Sequence, residues 1–139
     1  MLQMTGARNR LRFDGFSHET RPDGRCQIAV RLEWEGHIHK RACEGLETVH
    51  GRLGAAAKAT LATVAAAATE KGTELQLVGI KAVRAFDGWV VVTRINGRGP
   101  DRTYRLLGSA PCETEEELPK AAARAVLNAI NRIVESYVP

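Results

Sequence analysis

From Cys26 onward the chain alternates apolar and polar positions. Ile28, Val30, Leu32 and Trp34 alternate with Ala29, Arg31, Glu33 and Glu35, the period of a half-buried strand. Glu35-Gly36-His37 supplies a turn, and Ile38–Cys43 predicts the returning strand of a hairpin. A two-residue turn would set Glu33 opposite Lys40; a three-residue turn would set Trp34 opposite Ile38. The period then lengthens. Leu46, Val49, Leu53, Ala57, Leu61, Val64 and Ala68 step by three or four and predict a helix over residues 46–71, closed by Gly72. Three more strands are expected over 74–86, 89–95 and 102–107, with Asp87-Gly88 as a short hairpin turn and a looser connection over 96–101. A last helix over 114–137 opens on Thr114 and Glu117 at capping-box spacing, within an acidic run that suits a helix start. Its apolar stripe is Leu118, Ala122, Ala125, Val126, Ala129, Ile130, Ile133 and Tyr137, and Pro119 belongs to its opening turn.

Residues 1–24 show no sustained period and carry Pro22 and the pair Asp23-Gly24, which predicts a basic, partly mobile arm. A short strand around Leu11–Phe13 is the one element that alternation suggests there. Residues 25–139 then form a single domain of order β-β-α-β-β-β-α. Hairpins separated by helices favour an α+β two-layer architecture, with one antiparallel sheet and both helices on one face. At 139 residues the chain can bury a core without metals or staples.

Composition narrows the class. No stretch approaches the ~20 apolar residues of a membrane span, and Met1–Arg12 lacks the apolar core of a secretory signal. The three cysteines, Cys26, Cys43 and Cys112, have no CxxC spacing and predict neither a disulfide framework nor a zinc knuckle. A reduced, cytoplasmic protein without membrane contact is expected. The net charge of +4 comes from 20 basic and 16 acidic residues spread along the chain, as on an ordinary solvated surface.

Catalytic chemistry finds no support. His37 and His39 are two apart on one strand, a geometry that can hold a metal, but a third ligand would have to come from Cys43, His50 or Glu44, and two ligands alone are weak evidence. None of the cysteines has a positioned base. Gly97-Arg98-Gly99-Pro100 links two strands, whereas a phosphate cradle opens onto a helix. The expectation is a non-enzyme with no cofactor and no metal. What remains are two strand-to-helix junctions, Ala42–Thr48 and Gly108–Leu118, whose free backbone amides suit a carboxylate.

At these junctions Arg31–Arg132 resembles the C-terminal leucine-sensing regulatory domain of 2-isopropylmalate synthase. The likeness lies in element order, in the alanine-rich final helix Ala121–Arg132 with its Asn128 and Asn131, and in the small residues Gly108-Ser109-Ala110. At the first junction Gly45 matches the family's glycine turn, while the second glycine and the proline of that turn are missing. The resemblance implies a homodimer that binds an end-product amino acid near the junctions. Carried over, the ligand-contacting positions are Gly45, Leu46 and Thr48, with Gly108, Ser109 and Ala110. The catalytic barrel of the synthase has no counterpart in these residues.

The expected function is therefore a homodimeric regulatory-type domain that binds a small amino-acid-like ligand or a partner protein. Two rivals come from other classes. One is nucleic-acid binding through the arm and a basic sheet face with Arg84, Arg94 and Arg105, motivated by 15 arginines against five lysines. The other is a roadblock- or profilin-like adaptor, a fold analogy alone. Both sheet faces carry apolar residues, and two helices cover only one. A second subunit is the expected cover for the other, through Trp89, Val90, Val92, Tyr104 and Leu106.

Overall fold

A computed structural model describes residues 10–67 and 74–136. The fold is α+β, built from two antiparallel three-stranded sheets and two helices. β1 (Arg12–Thr20), β2 (Arg25–Trp34) and β3 (His37–Leu46) form the first sheet and lead into α1 (Val49–Ala67). β4 (Glu74–Ala85), β5 (Gly88–Arg98) and β6 (Thr103–Cys112) form the second, followed by a 3-10 turn, Glu115–Glu117, and α2 (Leu118–Ser136). The chain is thus a β-β-β-α unit followed by another of the same order. Among the described residues no helix is long and apolar enough to cross a membrane.

Two expectations change. The strands divide into two meanders instead of joining one sheet, and Arg12–Thr20, inside the expected arm, is a full strand paired along β2. The rest of the arm's start, residues 1–9, lies outside the described residues, as do Ala68, Gly72 and Tyr137. Pairing in β1 slips between Phe13 and Gly15, so the alternation that would reveal a strand is broken in the middle. Its later residues, Ser17–Thr20, are exposed, as on an edge strand.

The β2–β3 register matches neither proposed alternative. Glu35 and Gly36 form the turn with φ of 52° and 83°, which sets Trp34 opposite His37 and Lys40 opposite Arg31. In the next hairpin the turn residues are Phe86 and Asp87, both at positive φ, and not Asp87-Gly88. Gly88 is needed one position later: a Cβ there would lie 2.7 Å from the Cys112 carbonyl oxygen. The glycine serves the strand's packing, and the turn makes do with residues that favour it less.

The core lies between the sheets' inner faces and the helices. Cys26, Ile28, Val30 and Leu32 of β2, Val91 and Ile95 of β5, and Leu53, Val64, Val126 and Ile130 of the helices are all buried. α1 packs on β2, β3 and β4, α2 on β5 and β6, and the two helices on each other. Small side chains set the spacing. Gly45 approaches the carbonyl of Gly51 and the side chain of Ala55, and Gly108 approaches the backbone of Ala125 and Ala129. Leu46, expected in the first helix, instead ends β3 and is exposed.

α1 starts on Thr48, whose hydroxyl accepts the Gly51 amide hydrogen at 3.0 Å. α2 is preceded by Glu117, whose Oε1 accepts from the amides of Thr114 and Glu113 at 2.9 and 3.1 Å and from the Thr114 hydroxyl at 3.1 Å. These bonds, the amide of Thr114 first, hold the Glu117 carboxyl below its ordinary range.

Candidate functional site

Each strand-to-helix junction borders a cleft, and the two clefts differ in chemistry. The first, about 510 Å³, lies where β3 and α1 meet β4. Its lining combines Glu44, His50 and Lys58 with the aliphatic Leu77, Val78 and Ile80, and Gly45 and Gly51 form its floor. The bulge between Leu77 and Gly79 sets this stretch of β4 out of simple alternation. The second cleft, about 430 Å³, lies where β6 and α2 meet the start of β1. Arg10, Arg12 and Arg124 line it with Ser109, Ala110 and Asn128, and among the described residues no acidic side chain does.

The second cleft sits on a seam between the two units. Asn131 bonds both backbone groups of Leu11, accepting its amide hydrogen at 3.0 Å and donating to its carbonyl at 3.2 Å. Phe13 lies under the cations of Arg124 and Lys120, at 5.3 and 5.8 Å from its ring centre. Neither contact is legible from periodicity, because each joins residues more than 100 positions apart.

Of the expected ligand-contacting residues, Gly45 lines the first cleft and Ser109 and Ala110 the second. Leu46 and Thr48 line neither; Thr48 is the helix cap. Gly108 is buried against α2, with no room for even a Cβ. Both junction glycines therefore serve helix-on-strand packing.

The expected interface set divides between two faces. Val90 pairs with Pro111 and Val92 with Ser109, on the outer side of the second sheet. Leu106 pairs with Ile95 and Tyr104 with Gly97, on the inner side with Trp89, and Leu106 is buried there. The shared face expected of these residues is corrected by this register. The basic set divides likewise. Arg94 and Arg105 lie on the outer face, whereas Arg84 stacks over Trp89 at 5.0 Å.

All three cysteines are free, and burial raises each thiol above its ordinary range, which disfavours a thiolate nucleophile. His37 and His39 belong to no cluster of three metal-capable groups among the described residues. Another cluster does form, and no local pattern announces it. His18 of β1, Cys26 of β2 and Glu47 of the β3–α1 turn bring their ligand atoms within 4.8 Å of one another. Glu47 is held by Arg52 at 2.9 Å, Thr20 at 2.9 Å and His18 at 3.1 Å, and its carboxyl is held below the ordinary range, chiefly by Arg52.

Compared with known families and curated proteins, the chain matches no family model and no curated sequence.

Proposed function

We propose that the chain is a non-enzymatic regulatory-type domain that binds a small amino-acid-like ligand in the cleft between β3, α1 and β4. The observation that carries this reading is the cleft's lining. Lys58 and His50 offer partners for a carboxylate, Glu44, which Arg25 already meets at 3.4 Å, offers its other oxygen for an ammonium, and Leu77, Val78 and Ile80 supply an apolar wall. An α-amino acid with an aliphatic side chain carries these three features, and a volume of about 510 Å³ holds one with room for water. The element order and the final helix that resemble the leucine-sensing domain favour the same ligand class.

Calorimetry against branched-chain amino acids and their 2-oxo acids tests the reading. Binding should be weakened in Lys58→Met and in Glu44→Gln, and the 2-oxo acids, lacking the ammonium, should be insensitive to the second change. No heat and an unchanged melting temperature across the panel would overturn it.

The same reading includes a homodimer. Val83, Val90, Val92 and Pro111 cluster on the outer face of the second sheet, beside the turn that carries the exposed Phe86. Arg94 and Arg105 lie further along the strands. A two-fold axis near Val83, Val90 and Pro111 buries the apolar end and leaves Lys81, beside Val92, and the two arginines toward the rim. Sedimentation should give a dimer for the parent chain and a monomer for Val92→Glu; a monomeric parent at micromolar concentration would refute the dimer.

A further inference from the structure

The cluster at His18, Cys26 and Glu47 lies apart from both clefts and plays no part in the proposed ligand site. Its hydrogen bonds explain part of it. Arg52, Thr20 and His18 satisfy the Glu47 carboxylate and fasten the end of β1 to the start of α1. They do not explain Cys26, whose thiol lies 3.7 Å from the Leu46 carbonyl oxygen. Three different elements deliver an imidazole, a thiol and a carboxylate to one point, on backbone fixed by pairing of Thr20 with Cys26 and Cys26 with Gly45.

We propose that His18 Nε2, Cys26 Sγ and a Glu47 carboxylate oxygen form a three-ligand site for a divalent transition-metal ion of the zinc type, with water as fourth ligand. Tetrahedral bonds of ordinary length place ligand atoms about 3.5 Å apart. His18 and Glu47 already stand at 3.1 Å, and the 4.8 Å limit on the thiol leaves a gap of side-chain scale. The donor set selects the ion. A thiolate with an imidazole suits zinc, cobalt or copper, and disfavours calcium and magnesium, which take oxygen ligands. The buried Cys26 closes the site on the core side, while His18 is exposed and gives the ion its way in. Binding releases the thiol proton to solvent and is therefore weakened by acid. Arg52 competes with the ion, because its guanidinium occupies Glu47 Oε2 at 2.9 Å.

Cobalt(II) titration of the full reduced chain is the test. Expected are the ultraviolet charge-transfer band of a cobalt–thiolate bond and the intense visible bands of tetrahedral cobalt. Both should persist in Cys43→Ser/Cys112→Ser, where Cys26 is the remaining thiol, and zinc should bleach them. His18→Ala, a change at an exposed position, should weaken zinc at least ~10-fold, as measured by chelator competition. Arg52→Gln should bind zinc more tightly than the parent, whereas a purely structural network predicts lower stability and no metal response. A parent chain without the thiolate band, or a band undiminished in His18→Ala, would overturn the proposal. Should the double-serine chain not fold, the parent, His18→Ala and Arg52→Gln decide the matter among themselves.

Discussion

The two β-β-β-α units share their element order and differ in what they present on their outer faces. On the first sheet charges neutralise one another: Arg31 meets Asp14 at 3.3 Å, Arg25 meets Glu44 at 3.4 Å and Arg21 meets Glu19 at 3.7 Å. On the second, Val83, Val92 and Leu107 are 41%, 37% and 57% exposed, and Lys81, Arg94 and Arg105 share their face. Exposed ion pairs contribute little to stability, and the apolar side chains exposed on the first face, Ile38 at 54% and Leu46 at 56%, stand eight residues apart near opposite ends of β3. The second combines apolar area with cations, the composition of a surface that meets something. The inner faces fix the fold in both halves, and the outer faces are where the halves are free to differ.

Stability measurements can break or sharpen this comparison. The largest effect belongs to the helix–strand contacts. A Cβ at Gly108 would sit 2.0 Å from the Ala125 carbonyl oxygen, and one at Gly45 would sit 2.7 Å from that of Gly51. Urea denaturation should show Gly108→Ala losing about 3 kcal/mol, near the upper end for overpacking, and Gly45→Ala about 1 kcal/mol. Equal losses would mean that the two units tolerate strain alike. Next comes the seam. Asn131→Ala leaves the buried amide and carbonyl of Leu11 without their partners and should cost about 2 kcal/mol in the same assay.

The smallest effects distinguish the two helix starts. Thr48→Ala should cost about 1 kcal/mol, with no dependence on pH. Glu117→Gln should depend on pH, because the folded state holds that carboxyl below its unfolded value. Its contribution is present above the unfolded carboxylate range and is lost as pH falls through the lower folded value. Thermal melts should therefore show the variant less stable than the parent at neutral pH, with the gap closing in acid. A gap that persists at low pH would remove the carboxylate's charge from the account.

Much of this architecture was legible in the sequence where a period ran uninterrupted. Ile28 to Trp34 and the stripe from Leu118 to Ile130 gave a strand and a helix because burial follows each period, although α2 also buries Ala121, Ala123 and Leu127 and exposes only the line of Lys120, Arg124 and Asn128 between Leu118 and Asn131. β1 was hidden by its bulge at Gly15 and its exposed second half. The split into two sheets was hidden because alternation shows that a strand pairs, not with which neighbours. The junction glycines Gly45 and Gly108 stand out in the sequence as candidates for ligand contact, and their close backbone contacts give both a packing task that no local pattern announces. The cluster of His18 with Cys26 and Glu47 lies beyond the short strand that alternation suggests around Leu11–Phe13, and nothing local relates His18 to a turn 29 residues later.

The bond between Leu11 and Asn131 also sets an order of events during synthesis. At the usual pace of translation, residue 131 is added on the order of ten seconds after residue 11. β2, β3 and α1 contact one another within a stretch of the chain made early, and they can assemble in that interval. The amide and carbonyl of Leu11 must meanwhile be satisfied by water, and they exchange it for Asn131 only when the last helix docks. Leu11, just before β1, is thus made well before the helix that locks it, which makes its amide the natural reporter for docking of α2 in pulse-labelling hydrogen exchange.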